Sequence, residues 1–301
     1  VQGRIVEWSP ARADKTLSQP AVREIIQRSR SPVLGIPEPS RRDAKKLLYA
    51  FAPIWQVDVT GSYDRIGHPG WRNQGRSVVV DERRPVVFSR IGHAVWNGKI
   101  VLQLIYTSWF QERPRRGPLD LLGGTLDGVI WRVTLSPQGR PVMYDSIHAC
   151  GCYHFLIPVK GRAHDAQPKG VRELKERPVI LSVARAPRSG QRVVLRLATE
   201  THYLQNVALV SRRSPSARRS AYHLVDENVL RSLPVSPQRR LSLYGFDGIV
   251  PGTERLERFV LWSTGVKSPG AIRQWGHHAI AFAERRHFDD PVLFDRVFKN
   301  E

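Results

Sequence analysis

Short apolar runs separated by turn residues dominate the chain between Val57 and about Val260. Each run is rich in Val, Ile, Leu and aromatic residues, a pattern typical of strands that pair in sheets. SPQGRP at 136–141 is a turn signal between two such runs, so we predict that 128–135 and 141–149 form a hairpin. The candidate strands are RSVVV, PVVFS, KIVLQLIYTSW, GVIWRVTLS, PVMYDSIHACGCYHFLIPV, RPVILSVAR, QRVVLRLATETHYL, RRLSLYGF and RFVLWST.

The first 52 residues carry two helix patterns instead. Pro20 stands near the start of the first, and Ser40 has the position of an N-cap in the second, which Pro53 ends. Their apolar faces consist of Val22, Ile25, Ile26, Leu47, Leu48 and Phe51. We therefore assign residues 1–56 to an N-terminal helical segment.

A third helix is predicted near the other end of the chain, with Ser268 as its N-cap and Pro269 at its first position. Its buried stripe follows helical spacing and consists of Ile272, Trp275, Ala279 and Phe282. The predicted fold class is α+β, a mostly antiparallel β-sheet or sandwich with helices at the N- and C-termini. Residues 57–301 would form the main β-rich domain, closed by this C-terminal helix.

The chain is strongly basic, with 47 Lys and Arg against 27 Asp and Glu and a formal net charge of +20. Such a charge favours anionic partners: nucleic acid, acidic polysaccharide, anionic lipid or a phosphorylated small molecule. The arginines are spread along the whole chain without a basic tail, so nucleic acid is not favoured and an anionic small molecule or polymer is expected. The apolar runs are too short and too often interrupted for a transmembrane segment.

The segment HACGCYH at 148–154 alternates His and Cys residues and holds the only two cysteines of the chain. On an extended strand these four side chains would share one face. A straight strand would place His148 and His154 about 20 Å apart, which metal–ligand bonds of about 2.0–2.3 Å cannot span. Glycine within a strand often marks a bulge, so a bend at Gly151 would let the thiols and one flanking His converge.

A metal site is the first interpretation of this segment, and the ion would be a divalent transition metal, Zn or Cu. Further ligands would have to come from elsewhere in the chain. The motif R-I-G-H-x-x-W occurs twice, at 65–71 and 90–96. His68 and His93 therefore share the neighbouring residues of this motif in the sequence. The predicted ligands are His68, His93, His148, Cys150, Cys152 and His154, with His277 and His278 as additional candidates.

Thiol chemistry is the second interpretation. A bridge between Cys150 and Cys152 would close a small, strained and therefore easily reduced ring. Nearby histidines would favour a thiolate, and a cysteine with a histidine as base could act as a nucleophile. The predicted catalytic residues are Cys150, Cys152 and His154. A structural role stays open, because buried cysteines also behave as small hydrophobic residues.

A separate anion site is predicted at the start of the C-terminal helix. Lys267 precedes the helix, Arg273 lies one turn inside it, and the free N–H groups of a helix start attract anions. These two residues are the predicted substrate-binding pair. A plain N-capped helix is the alternative.

Together these patterns predict a metal- or thiol-dependent enzyme of unknown reaction class that acts on an anionic substrate. The alternative is a non-catalytic basic binding protein for an anionic polymer, polysaccharide or nucleic acid, whose binding would weaken with salt and survive Cys-to-Ser changes. A periplasmic or secreted location is expected. The chain begins with Val1 rather than Met, so we expect a processed or trimmed product.

Overall fold

The structure is a computed structural model that describes residues 3–12, 16–161, 179–182, 184–188, 190–210, 218–281 and 286–298. The α-helices in these ranges are α1 (Gln19–Arg28), α2 (Arg41–Phe51) and α3 (Leu293–Val297). The strands are β1 (Arg4–Pro10), β2 (Ile54–Val59), β3 (His68–Arg72), β4 (Ser77–Asp81), β5 (Val86–Trp96), β6 (Lys99–Arg113), β7 (Gly124–Leu135), β8 (Pro141–His148), β9 (Phe155–Pro158), β10 (Val179–Ile180), β11 (Arg192–Leu197), β12 (Leu204–Val210), β13 (Arg218–Asp226), β14 (Leu233–Pro234), β15 (Arg240–Leu241), β16 (Ala279–Ala281) and β17 (Arg286–His287).

Eleven of these strands form one curled mixed sheet, in the order β10-β9-β8-β7-β6-β5-β13-β1-β2-β11-β12. The prediction of a mostly β chain is confirmed, and β7 and β8 form the expected hairpin. Antiparallel pairing is continuous from β5 to β9 and recurs between β1 and β2 and between β11 and β12. In the middle of the sheet the pairing changes, because β13 runs parallel to both β1 and β5, and β11 runs parallel to β2.

Strand β1 lies in the segment predicted to be helical. It pairs with β2 on one side and β13 on the other, so it occupies the centre of the sheet. Val6 and Trp8 of this strand share a core cluster with Trp131 of β7. The domain division at residue 56 stays a prediction, and both of its segments contribute side chains to this one cluster.

The two N-terminal helices follow their predictions. Ser18 caps α1 by accepting a hydrogen bond from the Ala21 N–H, and the Ser40 hydroxyl accepts one from the Asp43 N–H at 3.2 Å in α2. Ile26 and Leu47 are fully buried in the core cluster that the sheet also lines. The amphipathic pattern therefore predicted both the helices and their buried faces.

The predicted helix beginning at Ser268 is wrong for residues 268–281. Ser268, Gly270 and Gly276 have φ angles of +45°, +79° and +85°, whereas an α-helix requires about −63°. The segment folds into turns, and Ile272, Trp275 and Ala279 do not form a helical stripe, although Ile272 is fully buried. Phe282, the fourth residue of the predicted stripe, lies outside the described residues. The only α-helix in the described C-terminal part is the short α3.

Side chains on the sheet alternate between two packed faces. Trp131 and Tyr144 point into the main core, where their rings stack at a centroid distance of 5.3 Å. Arg132 and Asp145, one position along, are fully buried on the opposite face. Both faces of β7 and β8 are therefore covered, and both bury polar groups.

Candidate functional site

The segment 148–154 forms the tight connection between β8 and β9. The alternation predicted for the strand holds up to His148 and then stops, because Gly151 and Tyr153 have φ angles of +95° and +58°. The His148 N–H donates to the Cys152 carbonyl at 2.9 Å and closes the turn. The chain therefore bends at Gly151 rather than continuing as a straight strand, which is the second of the two backbone courses considered from the sequence.

The bend brings the two thiols into contact. Both cysteines are free and half-buried. The hydrogen bond between the thiols raises the pKa of Cys150 well above its usual range and lowers the pKa of Cys152. Cys150 is thus the hydrogen-bond donor, and Cys152 is the thiol that more readily becomes a thiolate.

Two buried guanidinium groups lie beside the thiols. Arg273 is 7% exposed, and its guanidinium donates to the carbonyls of Lys267 and Ser268. Burial lowers the pKa of Arg273, and the charges of the two thiols oppose this effect. Arg255 donates to the carbonyls of Thr125 and Leu126. Burial lowers the pKa of Arg255, and the interaction with Cys150 opposes this effect.

A row of four buried carboxylate and imidazole side chains begins at His148, at the start of the turn, and extends into the protein interior. His148 Nδ1 lies 3.6 Å from the Asp127 carboxylate, which accepts a hydrogen bond from His202 Nδ1 at 2.7 Å. His202 Nε2 lies 3.5 Å from Asp64. All four side chains are at most 5% exposed. We call this chain of four residues the acid–imidazole relay.

Three members of the relay have shifted pKa values. Burial alone would raise the pKa of Asp127, but the interactions with His148 and His202 outweigh it and hold that pKa far below its usual range. The pKa of Asp64 falls to about 2, because hydrogen bonds from His202, Thr60 and other donors outweigh its burial. Burial would lower the pKa of His202, but the two carboxylates raise it. The two carboxylates therefore favour the protonated form of the His202 ring.

His148 is the member of the relay that faces the thiols. An electrostatic interaction with His148 lowers the pKa of Cys150, in opposition to the larger effects that raise it. Its Nε2 atom is buried and has no hydrogen-bond partner within the described ranges. Tyr153 packs edge-on against the ring at 5.2 Å.

His154, a predicted catalytic and metal-binding residue, serves a different cluster. Its Nε2 lies 2.9 Å from the Asp145 carboxylate. Arg132 donates to the same carboxylate through two nitrogens, at 2.9 and 2.5 Å, and to the Phe288 carbonyl. Because Asp145 and His148 point to opposite faces of β8, the structure separates His154 from the relay.

The predicted metal ligands do not converge. His68 Nδ1 lies 2.7 Å from the Pro69 carbonyl, and His93 Nε2 lies 2.8 Å from the Pro37 carbonyl. His278 faces Asp289 at 3.5 Å. Among the residues that the structure describes, no three His, Cys, Asp or Glu side chains are grouped so that they could hold a metal ion. The residues therefore do not fit the expected Zn or Cu site.

The predicted anion site at the helix start is not formed, because the helix is absent. Lys267 pairs with Asp247 at 2.8 Å on the surface. Arg273 lies instead at the thiol turn, where its backbone N–H donates to the Ala149 carbonyl at 2.9 Å. Only Arg273 of this pair thus lies near the cysteines.

Sequence reasoning missed three members of the relay: Asp64, Asp127 and His202. They come from a short turn after β2, from β7 and from the loop before β12, so no local spacing relates them. Phe110 stacks on the His202 ring at 3.8 Å and holds it in place. Only the curled sheet brings these residues together.

We expect Gly151→Ala to destabilise the turn and slow the reaction of the thiols with thiol reagents. Its φ of +95° disfavours a side chain, and a Cβ would lie 3.1 Å from the Ala279 carbonyl oxygen. The free energy of unfolding should fall by about 1–3 kcal/mol in urea denaturation. The control is Gly98→Ala, whose φ is +66° with no atom within 4 Å. It should lose about 1 kcal/mol and keep normal thiol reactivity. Identical behaviour of the two variants would contradict this account of the turn.

Comparisons with known proteins give only distant likenesses. No family model and no curated protein matches the chain. A solved structure described as "Toxin fold for microbial attack and plant defense" is 14% identical, with 61% of this chain and 76% of that chain covered and a TM-score of 0.30. "NLPPya in complex with mannosamine" is 15% identical, with coverage of 68% and 88% and a TM-score of 0.31. Likeness at this level supports no inference about what the chain does.

Proposed function

We propose that this chain is a thiol-dependent enzyme that exchanges electrons with disulfide substrates through Cys150 and Cys152. The observation that carries the proposal is the bent turn at Gly151, which lets the two thiols interact. His148, two residues before Cys150, has a buried Nε2 atom without a hydrogen-bond partner among the described residues. Paired thiols with unequal acidity suit exchange, because one attacks and the other resolves. A nearby positive charge suits an anionic substrate, and Arg273 supplies one.

The proposed reaction proceeds in two steps. The Cys152 thiolate attacks one sulfur of a substrate disulfide, forms a mixed disulfide and releases one substrate thiolate. Cys150 then loses its proton and attacks the Cys152 sulfur, which releases the second substrate thiolate. The protein ends as the Cys150–Cys152 disulfide, oxidised by two electrons, and the substrate ends as two thiols. An external thiol reductant returns the protein to the dithiol.

His148 has the position to accept the Cys150 proton in the second step. The other nitrogen of its ring lies 3.6 Å from the Asp127 carboxylate, which orients the ring. Asp127 is itself held by His202. In this scheme Asp127 and His202 are positioning residues, since they act through His148.

The test is thiol–disulfide exchange with 5,5′-dithiobis(2-nitrobenzoate), an anionic aromatic disulfide. The coloured thiolate that it releases is measured by absorbance. Wild-type protein should release two thiolates per chain and should lose two hydrogens in mass without retaining an adduct. Cys150→Ser should release one thiolate and retain one adduct. Cys152→Ser should react at least roughly tenfold more slowly, because the remaining thiol has the raised pKa.

Two further measurements sharpen the test. The midpoint in a glutathione titration should lie above about −230 mV, since structural disulfides lie below about −300 mV and strained ones are more oxidising. Cystamine, a cationic disulfide, should react more slowly than the anionic reagent, and Arg273→Ala should reduce this difference. A wild-type product that carries two adducts, or a Cys152→Ser variant as fast as wild type, would refute the proposal.

A further inference from the structure

Two neighbouring loops expose large apolar side chains. On the loop between β6 and β7, Leu119 is 85% exposed and Leu121 is 41% exposed. On the segment 256–264, three more apolar side chains are exposed by 60% or more: Phe259, Val260 and Trp262. We call these five side chains the loop patch. Isolated exposed apolar residues are ordinary, but a group of five with two aromatic rings indicates an interaction site.

The two loops are held together by contacts beneath the patch. The Glu257 N–H donates to the Leu121 carbonyl at 3.2 Å, and Glu257 is 8% exposed. Arg255 anchors the second loop to the start of β7 through the carbonyls of Thr125 and Leu126. Buried hydrogen bonds of Glu257 and Arg255 therefore hold the two loops in place, while the apolar side chains of the loop patch are exposed to solvent.

The surroundings of the loop patch are positively charged. Segments 113–121 and 254–267 carry six Arg or Lys residues and three Asp or Glu residues. The Arg258 guanidinium lies over the Phe259 ring at 4.8 Å. Aromatic and aliphatic side chains bordered by cations fit the interface of an anionic lipid bilayer, where apolar groups enter the acyl boundary and cations meet the headgroups.

We propose that the loop patch inserts into the interface of membranes that contain anionic lipids. The net charge of +20 draws the protein to such a surface, and the loop patch supplies the apolar contact. Protruding loops favour a lipid surface over a protein groove, because they can enter a fluid interface without matching its shape. This inference is independent of the thiol chemistry. No helix in the described part of the chain is long and apolar enough to span a membrane.

The test is co-sedimentation of the full chain with phosphatidylcholine vesicles, with and without phosphatidylserine. Wild type should bind the vesicles that contain phosphatidylserine and bind phosphatidylcholine alone much more weakly. A variant with Phe259→Ser and Trp262→Ser should bind at least roughly tenfold more weakly, since two large apolar side chains no longer enter the interface. The matched control carries Val33→Ser and Leu34→Ser, which are 90% and 68% exposed outside the loop patch, and should bind as wild type.

Fluorescence quenching by brominated lipid gives a second readout. Trp262 is 75% exposed, whereas Trp55, Trp109 and Trp131 are buried and out of reach of lipid. Trp71, Trp96 and Trp275 are half-buried and lie outside the loop patch. Quenching should therefore appear with wild type and fall strongly with Trp262→Phe. Equal vesicle binding by the patch variant and wild type would assign binding to charge alone and overturn the proposal. Absence of wild-type binding, or burial of the loop patch in a homodimer seen by light scattering, would also overturn it.

Discussion

Asp145→Asn is expected to lower the free energy of unfolding by about 3–5 kcal/mol. Asp145 is fully buried and accepts two hydrogen bonds from Arg132, which is 1% exposed. Removal of the carboxylate charge leaves a guanidinium in the protein interior with an uncharged partner. Urea denaturation at neutral pH measures the loss.

The control for this variant is the same change at an exposed ion pair. Asp247 accepts from Lys267 at 2.8 Å, but the lysine side chain is 68% exposed. Asp247→Asn should cost less than about 1 kcal/mol, because water screens the pair. Equal losses in the two variants would show that burial does not control the strength of the Asp145 pair.

A double variant separates the ion pair from the space that it fills. Arg132→Met with Asp145→Leu removes both charges and keeps apolar volume on the same face of β7 and β8. Apolar replacement of a whole buried pair is often neutral, so this variant should recover much of the stability lost in Asp145→Asn. His154 loses a carboxylate partner in both variants, so the loss of this charge is common to the two.

Asp127→Asn should produce the second large effect, a loss of about 3–5 kcal/mol at neutral pH together with a changed pH profile. The variant leaves the His202 ring with one carboxylate partner, Asp64 at 3.5 Å, and without the 2.7 Å contact with the Asp127 carboxylate. His148 also loses its carboxylate partner. Urea denaturation over a pH series measures both changes.

The pH profile follows from the directions of the pKa shifts. The pKa of His202 is raised above its ordinary value near 6.5, so its stabilising effect is complete below that pH and is lost as the pH rises through the folded pKa. The pKa values of Asp127 and Asp64 are lowered from 3.8, so their effect is complete above pH 3.8 and is lost as the pH falls, for Asp64 towards about 2. Wild type should be most stable between these limits.

In Asp127→Asn, the free energy of unfolding should change less steeply with pH on both the acid and the alkaline side. With one carboxylate gone, the pKa of His202 returns towards 6.5 and the alkaline decline becomes shallower. Asp120→Asn is the control, because backbone hydrogen bonds, led by the Arg116 N–H, lower the pKa of Asp120 and no imidazole is involved. It should keep the alkaline slope of wild type. A parallel shift of the whole Asp127→Asn curve, with both slopes unchanged, would contradict the relay.

Local patterns in the sequence predicted elements whose signals lie within a few residues. The caps at Ser18 and Ser40, the apolar faces of α1 and α2, and the β7–β8 hairpin all depend on short-range chemistry. A bend at Gly151 was one of two predicted courses of the backbone, the other being a straight strand, because glycine within a strand often marks a bulge. The predicted helix at Ser268 was wrong, because apolar spacing alone does not reveal the positive φ angles at Gly270 and Gly276.

The amino-acid sequence by itself determined that the chain is mostly β and basic, and that its two thiols lie one residue apart. Only the tertiary structure decided which groups surround those thiols. Strand alternation sends His148 to the main core with Asp127 and sends Asp145 to the opposite face with His154, although all four belong to β7, β8 or the turn between β8 and β9. His202 and Asp64 join from distant loops because the sheet curls around one core, and such contacts depend on strand order rather than on spacing.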